Sequence, residues 1–246
     1  MPSLTDAHIT TLAAIREITR GGVAAAWEQL AAYDEAQVAE FLAIAVPIVT
    51  AGQEKASRLT DAYVAAMLGR QPFGIPTSEV TGAAVRAGVL PDEVYRRPFV
   101  TVWTALSAGS QYDEAVNAGL ARATNLAATD VQLTARQTFQ SVQDLDSSIY
   151  GYARRADGAA CKFCRLVDGA YVKSAGAMPL HPGCGCGLEP LTGPHARAVA
   201  LPDGTPIRDF QGGPLTASPL PDGVKVHEHG ELGPTLGDPE HDFTQL

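Results

Sequence analysis

Apolar side chains recur at steps of three and four residues through most of the first 150 positions, the spacing that lines one face of an α-helix. In the stretch opening at Asp34 the seam is Val38, Leu42, Ala45, Val49, Gly52, Ala56, Leu59, Tyr63 and Met67. The Asp34 carboxylate suits the free amides of a helix start, so a long helix is expected from there toward Gly69. A second seam follows Ser110: Val116, Leu120, Ala123, Ala127, Val131, Ala135, Phe139 and Val142. Small alanines mixed with larger groups predict close helix packing, within the chain or, as the alternative, against a partner. Ahead of both, a helix from about Ser3 is expected to stop at Gly21-Gly22, followed by a short one carrying Trp27 and Leu30. Pro47 removes a backbone donor at roughly 3 kcal/mol, predicting a bend or break near Val46. After the breaker run Gln71 to Pro76, Thr77 or Ser78 is expected to cap another short helix, and Pro91 and Pro98 sit where first-turn prolines belong.

Around Tyr150-Gly151-Tyr152-Ala153 the pattern changes to short strand-like pieces. Asp168-Gly169 lies between Arg165-Leu166-Val167 and Ala170-Tyr171-Val172 like the turn of a hairpin. From Gly187 onward nine prolines and nine glycines fall in sixty residues, near the level at which a compact core ceases to be expected. That segment holds an echo, Leu201-Pro202-Asp203-Gly204 and Leu220-Pro221-Asp222-Gly223, each a turn signal. Val224 to His229 alternates, as a strand added to another protein would. The fold class expected is mainly α: a helical body over 1–150, a small β-containing Cys/His knuckle module over 151–191, and an extended acidic Pro/Gly-rich tail over 192–246.

Hydrophobic residues make up 46% and charged residues 18% of the 246, values that suit a globular chain with a buried core. The opening residues Met1 to Asp6 lack a basic patch followed by an apolar run, so no secretory signal is expected and synthesis in a cytoplasm is. The most apolar run, Phe41 to Gly52, falls short of the ~20 residues that cross a bilayer, so no membrane association is expected. The net charge of −9 opposes general phosphate binding. Its distribution is uneven: −6 over 1–150, +3 over 151–186 and −6 over 187–246. Arg154, Arg155, Lys162, Arg165 and Lys173 make the knuckle module the one basic segment, suited to solvent, phosphate or an acidic protein surface.

That module also holds every cysteine in the chain. Cys161, Cys164, His181, Cys184 and Cys186 read C-x2-C-x16-H-x2-C-x-C. Two thiolates two residues apart can meet one ion from a tight turn, and sulfur with imidazole suits tetrahedral zinc. Five donors are offered where a closed site takes four, and the spacing leaves the surplus donor undecided. One structural zinc ion per chain is the expectation, supplying roughly 10–16 kcal/mol of apparent binding to the module's folding. Disulfides are the alternative, with three possible connectivities, and a thioredoxin-like redox pair a third. His227, His229 and His241 lack helical H-E-x-x-H spacing and are read as exposed polar residues rather than a second metal site.

The run Tyr152 to Cys164, then Asp168-Gly169, then His181-Pro182-x-Cys184-x-Cys186, resembles the phage Mu F-like minor head proteins in both order and chemistry. Members of that family typically carry a helical N-terminal part, C-x2-C, an Asp-Gly and an H-P-x-C-R-C segment running into a strand. Gly185 stands here where that arginine is usual. The segment His227-Glu228-His229-Gly230-Glu231-Leu232-Gly233-Pro234 is similar to tails of such proteins from phages of actinobacteria. The resemblance implies a minor capsid protein of a tailed phage, in several copies inside the head at the portal vertex. The portal protein would be its partner, with the major capsid protein and packaged DNA as further contacts, and its role would lie in assembly, DNA packaging or ejection. No enzymatic activity is expected. There is no G-x-S-x-G and no serine-histidine pairing. The rivals are a metal-dependent nuclease drawing on Asp157, Asp168 and a freed His181, and a nucleic-acid-binding zinc module using Phe163 and Tyr171.

Overall fold

A computed structural model describes residues 3–158, 160, 162–182, 185–192, 208–209 and 225–237. Four long helices form the body: α1 (Leu4–Glu28), α2 (Glu35–Met67), α3 (Pro91–Ser107) and α4 (Tyr112–Leu145). Ser3 and Asp6 start α1 with a reciprocal capping box, and the Asp34 side chain accepts from the Ala36 and Gln37 amides to start α2, as its position in the sequence predicts.

Three expectations drawn from glycine and proline are corrected. The first helix does not stop at Gly21-Gly22 but runs on to carry Trp27. Gly22 serves packing instead: a Cβ there would lie 2.9 Å from Ile48 Cγ2 of α2, so the glycine lets two helices close together. Pro47 does not break α2, which is continuous through it. Pro47 is exposed, and so is Ala43, whose carbonyl loses its partner; water can serve that group. Pro98 belongs to no first turn. Only Pro91 holds that place in α3, and Pro98 follows two turns later, buried on the inner side. The short helix expected near Thr77 is a pair of 3-10 turns, Thr77–Glu79 and Gly82–Arg86.

α4 is the central element. It packs against α1, α2 and α3, and every residue from 126 to 135 is buried, so over that stretch the predicted seam is only part of a surface enclosed on all sides. Around its first half, Trp27, Phe41 and Phe99 form an aromatic cluster with ring centroids 4.9–5.6 Å apart. α2 is long and apolar enough by length and composition to cross a membrane, and here its Val38, Phe41, Ala45 and Val49 face this core.

Beyond α4 the chain forms a four-stranded sheet in the order β3 (Gly187–Thr192), β1 (Ile149–Arg155), β2 (Ala170–Val172), β4 (Arg208–Asp209). β1 pairs antiparallel with β2 and β3, and β4 joins β2 in parallel. The expected hairpin about Asp168-Gly169 is corrected: Lys162–Leu166 is a short helix, α5, and β2 pairs with β1 instead. Asp168 and Gly169 still turn the chain, the Asp168 carboxylate accepting from the Ala156 amide at 2.8 Å and Gly169 taking φ 74°.

The sheet is not closed off from the body. Tyr152, Val172, Met178 and Leu188 share one apolar cluster with Tyr63, Phe139 and Val142 of α2 and α4, and the Tyr152 hydroxyl donates to the Phe139 carbonyl at 2.6 Å.

The alternating segment near residue 225 also departs from expectation. Rather than extending toward another protein, β5 (Lys225–His229) pairs antiparallel with β6 (Gly233–Gly237). The hairpin lies against the body. Leu180 bridges to Thr235, and Leu232 is fully buried with Val85, Leu133 and Leu180. The two Leu-Pro-Asp-Gly echoes and His241 lie outside the described residues.

Candidate metal centre

The donors are delivered by the loops between strands of the small sheet. Cys164 sits in α5, His181 follows the Leu180 bridge, and Cys186 directly precedes β3. Fixing β1 against β3 over Arg155–Gly187 therefore carries Cys186 toward the turn that leads into α5. Cys164 is fully buried, and its Sγ lies 3.0 Å from His181 Nδ1. Cys186 packs against the Ala160 and Cys164 pair, with Ala156 beside it. Three of the five predicted donors, some twenty residues apart in sequence, are thus brought to one end of the sheet. Cys161 and Cys184 lie outside the described residues.

Among the described residues no three His, Cys, Asp or Glu side chains group closely enough to hold an ion by themselves. The donor chemistry nonetheless fits zinc. A tetrahedral shell with Zn–S about 2.3 Å and Zn–N about 2.0 Å sets sulfur and nitrogen about 3.5 Å apart. The 3.0 Å thiol–imidazole contact needs only a small opening to reach that separation.

The ground around the donors explains the glycine at 185. A Cβ at that position would fall 1.7 Å from Asp157 Oδ2 and 3.2 Å from Arg16 Nη2. No side chain fits there while Asp157 stands beside it, and α1 brings a guanidinium to the same point.

The basic residues of the module are largely used internally. Arg154 is buried and its Nη2 donates to the Pro179 carbonyl. Arg155 pairs with Glu189 across β1 and β3 at 3.3 Å, and Arg165 Nε donates to the Ala160 carbonyl at 2.9 Å. Lys173 is exposed. Among the described side chains, which leave out Lys162, these charges do not gather into one exposed stripe. Of the acids near the donors, Asp168 is occupied by the Ala156 amide. Of the tail histidines, His227 is exposed and His241 lies outside the described residues. His229 Nδ1 accepts from the Glu231 and Leu232 amides, each at 3.2 Å, and burial, then Arg86 and Arg97, lower its pKa against the pull of Glu231. Protonation would remove that acceptor, so this imidazole is held neutral as a turn cap.

A second charged cluster escaped the sequence reading. Asp130 of α4 accepts from Arg86 Nε at 2.6 Å and from the Tyr95 hydroxyl at 2.7 Å, all three buried. Arg86 and Arg97 then reach Glu231 of the hairpin, Arg97 by two nitrogens. Hydrogen bonding from Arg97 holds the Glu231 carboxyl below its ordinary range, against partial burial. Long separation in sequence hid this cluster; the one signal available was an aspartate and an arginine interrupting otherwise apolar or small runs.

Comparison with known protein families, curated proteins and solved structures finds no match.

Proposed function

We propose that this chain is a minor head protein of the phage Mu F-like kind, sited at the portal vertex inside the head of a tailed phage. In this reading the helical body and the returning hairpin form one docking block, and the Cys/His module is a metal-clamped clip that fixes its outer loops. The observation that carries the reading is the approach of Cys164, His181 and Cys186 at the end of a sheet rooted in the body, in the motif order that the resemblance rests on. One zinc ion held by four of Cys161, Cys164, His181, Cys184 and Cys186 would cross-link α5 to the strand β3. The ion would supply rigidity, with no reacting group bound to it. Burial of Cys164 supports a ligand's role over that of an attacking nucleophile, which needs access to substrate. Where family members typically carry an arginine, Gly185 is met by the Arg16 guanidinium, so a positive charge remains at that place from another element.

Quantitative mass spectrometry of purified particles tests the proposal. Expected is a fixed number of copies per particle that stays with the portal when heads are emptied and gently dissociated. A chain found only in the lysate and missing from particles would refute it.

A further inference from the structure

We propose that the pocket between α1, α4 and the sheet binds a small oxyanion, a phosphate or carboxylate group, through the guanidinium groups of Arg136 and Arg154. Its water-sized interior is about 30 Å³, enough for roughly two water-sized groups, and its apolar wall includes Leu12, Phe139 and Leu188. Arg136 enters from α4 and Arg154 from β1.

Both cations are buried, and among the described residues neither is in an ion pair. Arg154 is 3% exposed, and its Nε is buried with no hydrogen-bond partner. Arg136 donates to the carbonyls of Met178, Leu232 and Pro234, which are neutral. Among the described residues no carboxylate pairs with either arginine. A buried charge without an opposite charge is costly, and two of one sign in one pocket compound the cost. Burial, and then the nearby Arg154, bring the Arg136 pKa down to about 10, with only Glu228 opposing. A planar guanidinium matches the geometry of a carboxylate or phosphate oxygen, and an anion in the pocket would neutralise the pair together. His181 and Cys186 also line this pocket. The anion site is nevertheless defined by the arginines, and it stands whether or not the donors hold metal.

The test follows the Arg154 Nε–H resonance of the full chain by nitrogen-15 NMR in reducing buffer. Inorganic phosphate and acetate are titrated separately, with chloride at matched ionic strength as control. Expected is a saturable shift with phosphate, acetate or both that chloride does not produce. A shift with phosphate alone identifies phosphate as the ligand chemistry, and a shift with acetate identifies a carboxylate. Arg154→Gln should weaken binding about tenfold or more, reported by thermal stabilisation of the variant on adding the same anions. An Nε–H that neither anion moves, or that chloride moves equally, overturns the proposal, and that result does not depend on how the variant folds.

Discussion

The helical body and the knuckle end of the module bury themselves by different means. In the body Trp27, Phe41, Tyr95 and Phe99 are almost wholly buried against one another and α4. At roughly 25 cal/mol per Å² of apolar surface, and 150–250 Å² for each aromatic, such a core repays its own ordering. The sheet strands of the module take part in it, since Tyr152 and Leu188 lie in one cluster with Phe139. The knuckle loops do not. Among the described residues their own cluster is Ala160 and Cys164, with Ala156 and Cys186 at its edge. Among the described residues the boundary in stability therefore runs inside the module, between strands that lean on the body and loops whose described side chains add little apolar contact. A cross-link is the natural remedy where a core is this small.

Removing the proposed zinc cross-link should give the largest effect. One zinc per chain is expected by elemental analysis of reduced protein. Chelation, or Cys164→Ser, should deprive the loops of binding energy on the order of 10 kcal/mol. Hydrogen exchange should then speed up over 156–168 and 181–186, while β1 and the four long helices keep their protection and the far-ultraviolet helical signal is unchanged. Metal-free protein with equally protected loops would erase the contrast, and a collapse of the whole body would show that the division has been drawn in the wrong place.

What could be read from the sequence divides along a similar line. The start of α2 at Asp34 was legible because an N-cap is local, and the seam of α4 because its period repeats over many turns. The Cys/His spacing pointed to the approach of Cys164, His181 and Cys186, the three donors among the described residues. The glycine pair at 21–22 misled because a packing glycine and a helix-ending glycine look alike in one dimension, and only Ile48 across the interface tells them apart. Arg165-Leu166-Val167 looked like a strand because a short apolar run has no period long enough to separate strand from helical turn. The Glu231 contacts and the Arg136–Arg154 pocket depend on residues far apart in sequence, and no local pattern encodes such partners.

A mid-sized effect should come from acid, at the joint between the two regions. His8 of α1 is buried, stacked on Tyr63 with ring centroids 4.3 Å apart, and Gly187 at the start of β3 lies close to its Nδ1. Burial lowers its pKa from 6.5 to about 4. The folded protein thus holds this imidazole neutral while the unfolded chain takes up a proton below about pH 6.5. Unfolded chain binds more protons over that window, so stability is full above pH 6.5 and falls as the pH drops to about 4, by about 3 kcal/mol from this group. Urea unfolding of wild type and His8→Gln at pH 7 and pH 4.5 measures it. The variant should lose most of the acid-dependent part; an identical pH slope in both proteins would place the acid sensitivity elsewhere.

The smallest effect concerns the hairpin, which has little core of its own and is held by ion pairs, where the knuckle loops are proposed to be held by a metal. Only Leu232 and Leu236 are fully buried in it, and the two nitrogens of Arg97 grip Glu231, with Arg86 adding a contact at 3.3 Å. Glu231 is partly exposed, so solvent screens the pair and its worth is about 1 kcal/mol. Glu231→Gln keeps the shape and removes the charge, leaving Arg86 to Asp130 alone. The expected outcome is a global melting temperature lowered by only a few degrees, together with faster proteolysis over 225–237. Because the carboxyl is held below its ordinary range, the wild-type hairpin should be gripped fully above about pH 4.5 and released as the pH falls through the lowered value. The variant should show no such step. If Glu231→Gln left cleavage unchanged at pH 7, burial of Leu232 would be sufficient to hold the hairpin, and the ions would be passengers on an apolar contact like those of the body.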